Sequence, residues 1–215
     1  MLRKEILESI IHIGVVPVVR TGSAESAVRA VEAVFKGGIR AAEITMTVPG
    51  ALRALEKVAD EFGDRITLGA GTVLDPETAR VCMLAGAQFL VTPVLNIPAI
   101  ETANRYSKVI TAGALTPTEV LAAWQAGADI VKIFPCGAMG GPKYIRALKA
   151  PFPEIEMIPT GGVTLDTTAE FLRAGACAVA VGSDLIDFKN MAAGHFEVFV
   201  ERAKHFLVEV AKARA

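Results

Sequence analysis

The sequence predicts an α/β protein built as a (β/α)8 TIM barrel with an extra N-terminal helix. Three observations carry that expectation. Eight short apolar runs alternate with longer amphipathic stretches from end to end, helix-opening and helix-closing residues punctuate those stretches, and one helix-glycine-strand pattern returns at intervals. At 215 residues the chain is short for this architecture, for which about 200 residues is the lower limit. One domain over 1–215 is expected.

In chain order, a charged amphipathic segment at residues 2–12 (LRKEILESIIH) comes first and is expected to cap the barrel bottom. The apolar runs follow at 15–20 (VVPVVR), 41–46 (AAEITM), 66–70 (ITLGA) and 89–92 (FLVT). They continue at 108–112 (KVITA), 129–134 (DIVKIF), 156–159 (EMIP) and 178–181 (AVAV). Short, rich in β-branched residues and almost continuously hydrophobic, they read as strands of a parallel sheet covered by helices. Between them, Ser23 precedes AESAVRAVEAVFKGG, and Asp75-Pro76 and Thr116-Pro117 open two further helices with proline in the first turn. The pattern KGGIRAAEI returns as LAGAQFLV, QAGADIVKI and RAGACAVAV, with Gly86, Gly127 and Gly175 placed to turn a helix back into a strand through a left-handed C-cap.

Composition excludes several classes of function. Hydrophobic residues make up 52% and charged residues 21% of the chain, which describes a compact protein and not a disordered one. A net charge of −1 gives no reason to expect nucleic acid or an acidic membrane surface as partner. No run of 18 apolar residues and no secretory h-region occurs. Cys82, Cys136 and Cys177 form no CxxC pair, and His12, His195 and His205 lack metal-ligand spacing, so reduced cysteines, a cytoplasmic location and no metal or cofactor are expected.

Side-chain alternation assigns the strand faces. In DIVKIF, Val131 and Ile133 share one side and Ile130, Lys132 and Phe134 the other; in AAEITM, Glu43 lies opposite Ala42 and Ile44. The face against the helix layer must be apolar, so Lys132 and Glu43 are expected inside the barrel, toward the mouth at the strand C-termini. A buried charge costs several kcal/mol unless paired, and of the ten lysines only Lys132 is embedded in a strand. A space-filling ion pair is one reading. A nucleophile is the other, because desolvation and a nearby cation both favour the free amine of a lysine in general; Arg20, at the end of strand 1, is the candidate cation.

The ends of strands 7 and 8 read PTGGV and VGSDL. Adjacent glycines before a helix expose N–H groups to an anion, and barrels often bind phosphate after these two strands. Gly161, Gly162, Gly182 and Ser183 are therefore the expected phosphate-binding residues. Strand 3 ends in GAGT, where the glycines are expected to let a substrate approach and Thr72 to meet a substrate carboxylate or serve as a helix N-cap.

Taken together in this order, GGIRAAEIT, GAGTV, DIVKIFP and IPTGGV resemble the bacterial KDPG/KHG aldolases, which act on 2-keto-3-deoxy-6-phosphogluconate and 2-keto-4-hydroxyglutarate. The resemblance covers roughly residues 10–190. It implies a class I aldolase of the Entner–Doudoroff pathway, a homotrimer that needs no cofactor and acts on a small 2-keto acid. By motif, Lys132 matches the Schiff-base lysine and Glu43 the general acid/base; Arg20, Thr47, Thr72, Pro93 and Phe134 form the implied substrate-binding set. This chain departs from the family pattern in two places. Many members carry arginine four residues after the glutamate, where this chain has Thr47, and a proline-glycine after strand 5 is here Ala112-Gly113. Two rival readings remain at this stage, a phosphosugar isomerase or epimerase with Glu43 as base, and a binding barrel without chemistry.

Overall fold

The computed structural model describes residues 2–215. The first half of the chain runs α1 (Arg3–Ile13), β1 (Val15–Val19), α2 (Ala24–Lys36), β2 (Ala41–Thr45), α3 (Ala51–Phe62), β3 (Thr67–Gly71), α4 (Pro76–Leu84), β4 (Phe89–Val91) and α5 (Ile97–Arg105). The second half runs β5 (Val109–Ala114), α6 (Pro117–Gln125), β6 (Ile130–Ile133), α7 (Pro142–Lys149), β7 (Met157–Pro159), α8 (Leu165–Arg173), β8 (Val179–Val181), α9 (Phe188–Ala193) and α10 (Glu197–Arg214). All ladders are parallel, and β8 pairs with β1. The isolated bridge between Thr160 and Ala180 brings β7 to β8 and closes the (β/α)8 barrel.

Two apolar clusters follow from the alternation of side chains. Residues such as Val19, Ile44, Leu90 and Val131 point outward into the layer under the helices. Val16, Val18, Phe89, Val91, Ile130 and Ile158 point inward and fill the barrel together with Ile6 and Ile10 of α1. The N-terminal helix therefore closes the bottom of the barrel, as its amphipathic pattern predicts.

The punctuation residues act as the sequence predicts. Ser23 accepts from the Ser26 N–H and Asp75 from the Thr78 N–H, while Thr116 and Glu119 form a reciprocal capping box. Gly86, Gly127 and Gly175 have φ of +101°, +93° and +105°, a region costly for any residue with a Cβ.

One expectation is corrected. Strand 5 extends to Ala114, so Ala112-Gly113 lies inside the strand and does not form the loop after it. Gly113 is required there because a Cβ would come within 2.3 Å of the Pro93–Val94 peptide. No helix among the described residues is long and apolar enough to cross a membrane.

Candidate active site

Register places Glu43 between Val18 and Gly69, and Lys132 between Gly113 and Ile158. Both side chains point inward, as parity predicts. Lys132 Nζ lies 4.0 Å from Glu43 Oε1, and the two side chains are 7% and 1% exposed. Glu43 Oε1 has no hydrogen-bond partner among the described residues. Buried polar atoms are normally satisfied, and an orphaned carboxylate oxygen is expensive. The pair is thus poorly made as a structural ion pair.

The glycines of strand 3 act differently from expectation. A Cβ on Gly71 would sit 1.6 Å from Glu43 Oε1, and one on Gly69 would sit 2.2 Å from the Phe89 ring. Both glycines make room for neighbouring side chains inside the barrel, Gly71 for the carboxylate itself. Thr72 follows with φ +59°. For a β-branched residue that is an outlier, of a kind that collects at functional sites. It is not a helix N-cap, since Asp75 holds that position on α4.

A cavity of about 250 Å³ opens at the ends of β7 and β8. Its walls include Gly161, Gly162, Gly182 and Ser183, all expected from sequence, together with Arg20 and Phe134. The backbone N–H groups of Gly162, Gly182 and Ser183 donate to no acceptor among the described residues, while that of Gly161 faces Ala180 across the bridge between β7 and β8. Arg20 was expected as a cation beside the lysine; it lies on this wall, and the partners closest to Lys132 are Glu43 and the Phe134 ring, whose centroid is 5.4 Å from Nζ. Phe134 therefore borders both the lysine and the cavity.

The remaining expected residues sit on loops at the same end of the barrel. Thr47 is exposed just past β2, and its hydroxyl is 2.8 Å from that of Thr45. Pro93 follows β4 in a turn braced by Thr92, whose Oγ1 donates to the Val94 carbonyl and accepts from the Gly113 N–H. Sequence reasoning missed Thr160 and Asp184. Thr160 lines the cavity, is 7% exposed, and its Oγ1 has no partner among the described residues. Extending the inward parity of Ile158 by two residues would have found it. Asp184 also lines the cavity, and its place directly after Ser183 was the available signal.

The profile of the "KDPG and KHG aldolase" family matches residues 6–201. The chain belongs to the KDPG and KHG aldolase family. It is similar to the 2-dehydro-3-deoxy-6-phosphogalactonate aldolase of Escherichia coli K12, with 37% identity over 79% of this chain and 83% of that one. Its similarity to the KHG/KDPG aldolase of the same organism is 32% identity over 95% of this chain and 96% of the relative. The KDPG aldolase of Legionella pneumophila, solved with pyruvate captured at low pH as a covalent carbinolamine, superposes with a TM-score of 0.85. That match has 26% identity and covers 95% of this chain and 97% of that one. The aldolase described here is accordingly a carbon–carbon lyase of class I, the Schiff-base type.

Proposed function

We propose that this aldolase cleaves 2-keto-3-deoxy-6-phosphogluconate to pyruvate and glyceraldehyde 3-phosphate, and 2-keto-4-hydroxyglutarate to pyruvate and glyoxylate, with Lys132 as nucleophile and Glu43 as proton carrier. The observation that carries this reading is the buried amine 4.0 Å from a carboxylate oxygen that has no other partner among the described residues. The amine of Lys132 attacks the C2 ketone to give a carbinolamine. Glu43 delivers the proton that lets the C2 hydroxyl leave as water, and an iminium forms. Glu43 then takes the proton of the C4 hydroxyl as the C3–C4 bond breaks; the bonding electrons move into the iminium, the aldehyde departs and an enamine remains. Protonation at C3 and addition of water release pyruvate and restore the lysine.

The other residues divide by position. Thr72 and Thr47, with Pro93 and Phe134, surround the keto-acid end. Arg20 and the turn amides of Gly161, Gly162, Gly182 and Ser183 receive the phosphate, in keeping with the usual place for phosphate in barrels. We also propose a cytoplasmic homotrimer, the state implied by the family resemblance. Exposed Leu74 and Val94, on the loops leading into α4 and α5, and Ile97, the first residue of α5, are consistent with an apolar face buried between subunits.

The deciding experiment is incubation with pyruvate, reduction with borohydride and mapping of the adduct by mass spectrometry. An adduct on Lys132 is expected. Turnover of a phosphosugar without an adduct would favour an isomerase, and absence of both would favour a binding protein. Lys132→Ala should abolish cleavage, and Glu43→Gln should slow it by about 100-fold, within the range for general acid–base catalysis.

A further inference from the structure

We infer that Asp184 is a positioning residue that ties the glycine turns after β7 and β8 into one anion cup. The inference rests on the phosphate-binding reading given above. It starts from an apparent contradiction. The cavity lined by Gly161, Gly162, Gly182 and Ser183 contains two charged side chains, Arg20 and Asp184. An acid on the wall of an anion site repels the ligand, so electrostatics alone would disfavour it.

The geometry supplies a different reason for it. Asp184 Oδ2 accepts a hydrogen bond of 2.7 Å from the backbone N–H of Leu165, the first residue of α8. The N-cap Thr164 and Thr167 satisfy each other: the Thr164 N–H donates to Thr167 Oγ1 and the Thr167 N–H to Thr164 Oγ1. Asp184 therefore reaches from the turn after β8 to the segment that carries Gly161 and Gly162.

The seam it crosses is the weakest in the barrel. Every other pair of neighbouring strands shares a ladder, whereas β7 and β8 meet through the single bridge at Thr160 and Ala180 and the bond from Cys177 N–H to the Met157 carbonyl. The Cys177 bond lies at the start of the two strands, and the bridge residues Thr160 and Ala180 line the cavity beside Asp184. Beyond them, the bond from the Leu165 N–H to Asp184 Oδ2 holds the amides of the two turns at a fixed separation. A preorganised cup loses less entropy on closing around an anion than two independent loops.

Two variants separate geometry from charge. Asp184→Ala removes both the acceptor and the negative charge. Asp184→Asn keeps an acceptor oxygen for the Leu165 N–H and removes only the charge. The readouts are the Kd for inorganic phosphate by calorimetry and the KM and kcat for the 6-phosphorylated substrate. In Asp184→Ala the phosphate Kd should rise roughly threefold to tenfold, the worth of one ordinary hydrogen bond, with KM rising more than kcat falls. In Asp184→Asn the Kd should equal or fall below that of the wild type.

Tighter or unchanged phosphate binding by Asp184→Ala would overturn the inference, because the side chain would then act only through repulsion. Equal loss in both variants would overturn it too, as would a fall in kcat without a change in KM. If the wild-type enzyme itself binds no phosphate, the phosphate-binding reading fails and the inference with it; wild-type binding with an indifferent Asp184→Ala sinks the role of Asp184 alone.

Discussion

Glu43 occupies space that position 71 can leave open only as glycine, since any Cβ there would lie 1.6 Å from Oε1. The carboxylate position is thus set by a neighbour on another strand as much as by its own side chain. Gly71→Ala should push the carboxylate off the lysine and lower kcat by roughly tenfold or more, on the scale of a misplaced catalytic group. Steady-state kinetics beside a thermal melt would check it: an unchanged kcat would mean the carboxylate has room to move. Residues of this kind differ in how legible they were. Alternation along two strands was enough to turn Lys132 and Glu43 inward. The left-handed φ of Thr72 and the reason for Gly71 were hidden, because both depend on what a neighbouring chain segment places beside them.

At the scale of elements, α9 is held by its N-cap. Burial pushes the Asp187 carboxyl up, but hydrogen bonds from the Asn190 backbone and side chain, together with Arg202, outweigh it and hold the pKa at about 2. Those contacts measure 2.8, 2.7 and 2.6 Å. A carboxyl with a pKa depressed below its unfolded value, about 3.9, adds stability that is fully present above about pH 4. That stability is lost as the pH falls from about 4 to about 2. The gap in melting temperature between wild type and Asp187→Asn should therefore be present at neutral pH and shrink across that acid window. A gap that stays constant down to about pH 2 would show that the ionised carboxylate is not the source.

Element ends were legible where one residue decides them, as at Ser23, Asp75 and Thr116. Strand 5 was not: its last residues, Gly113 and Ala114, carry no strand preference, and it is pairing with Lys132 and Ile133 that makes them strand.

For the whole molecule, the barrel depends on a plug at the bottom of its interior. At the bottom Ile10 of α1 is 1% exposed and packs with residues of the inner strand faces. Truncating it leaves a cavity that rigid strands cannot close, so Ile10→Ala should cost about 2–5 kcal/mol in chemical denaturation while leaving the mouth unaltered. A loss much below that range would mean that α1 repacks. The assembled state is checked by light scattering on the purified protein, where a trimer mass is expected and a monomer mass would remove the proposed oligomer.

The barrel, the inward lysine and glutamate, and the glycine turns after strands 7 and 8 can all be read from the order of residues alone. Each of these rests on a local regularity, either alternation along a strand or the conformational freedom of one residue type. It took the closed barrel to show that Arg20 lines the cavity at the ends of β7 and β8, that Gly69 and Gly71 make room for Phe89 and Glu43, and that Asp184 spans the seam between β7 and β8. Those facts belong to pairs of residues far apart in the chain, and no spacing rule encodes a distance that exists only after the barrel has closed.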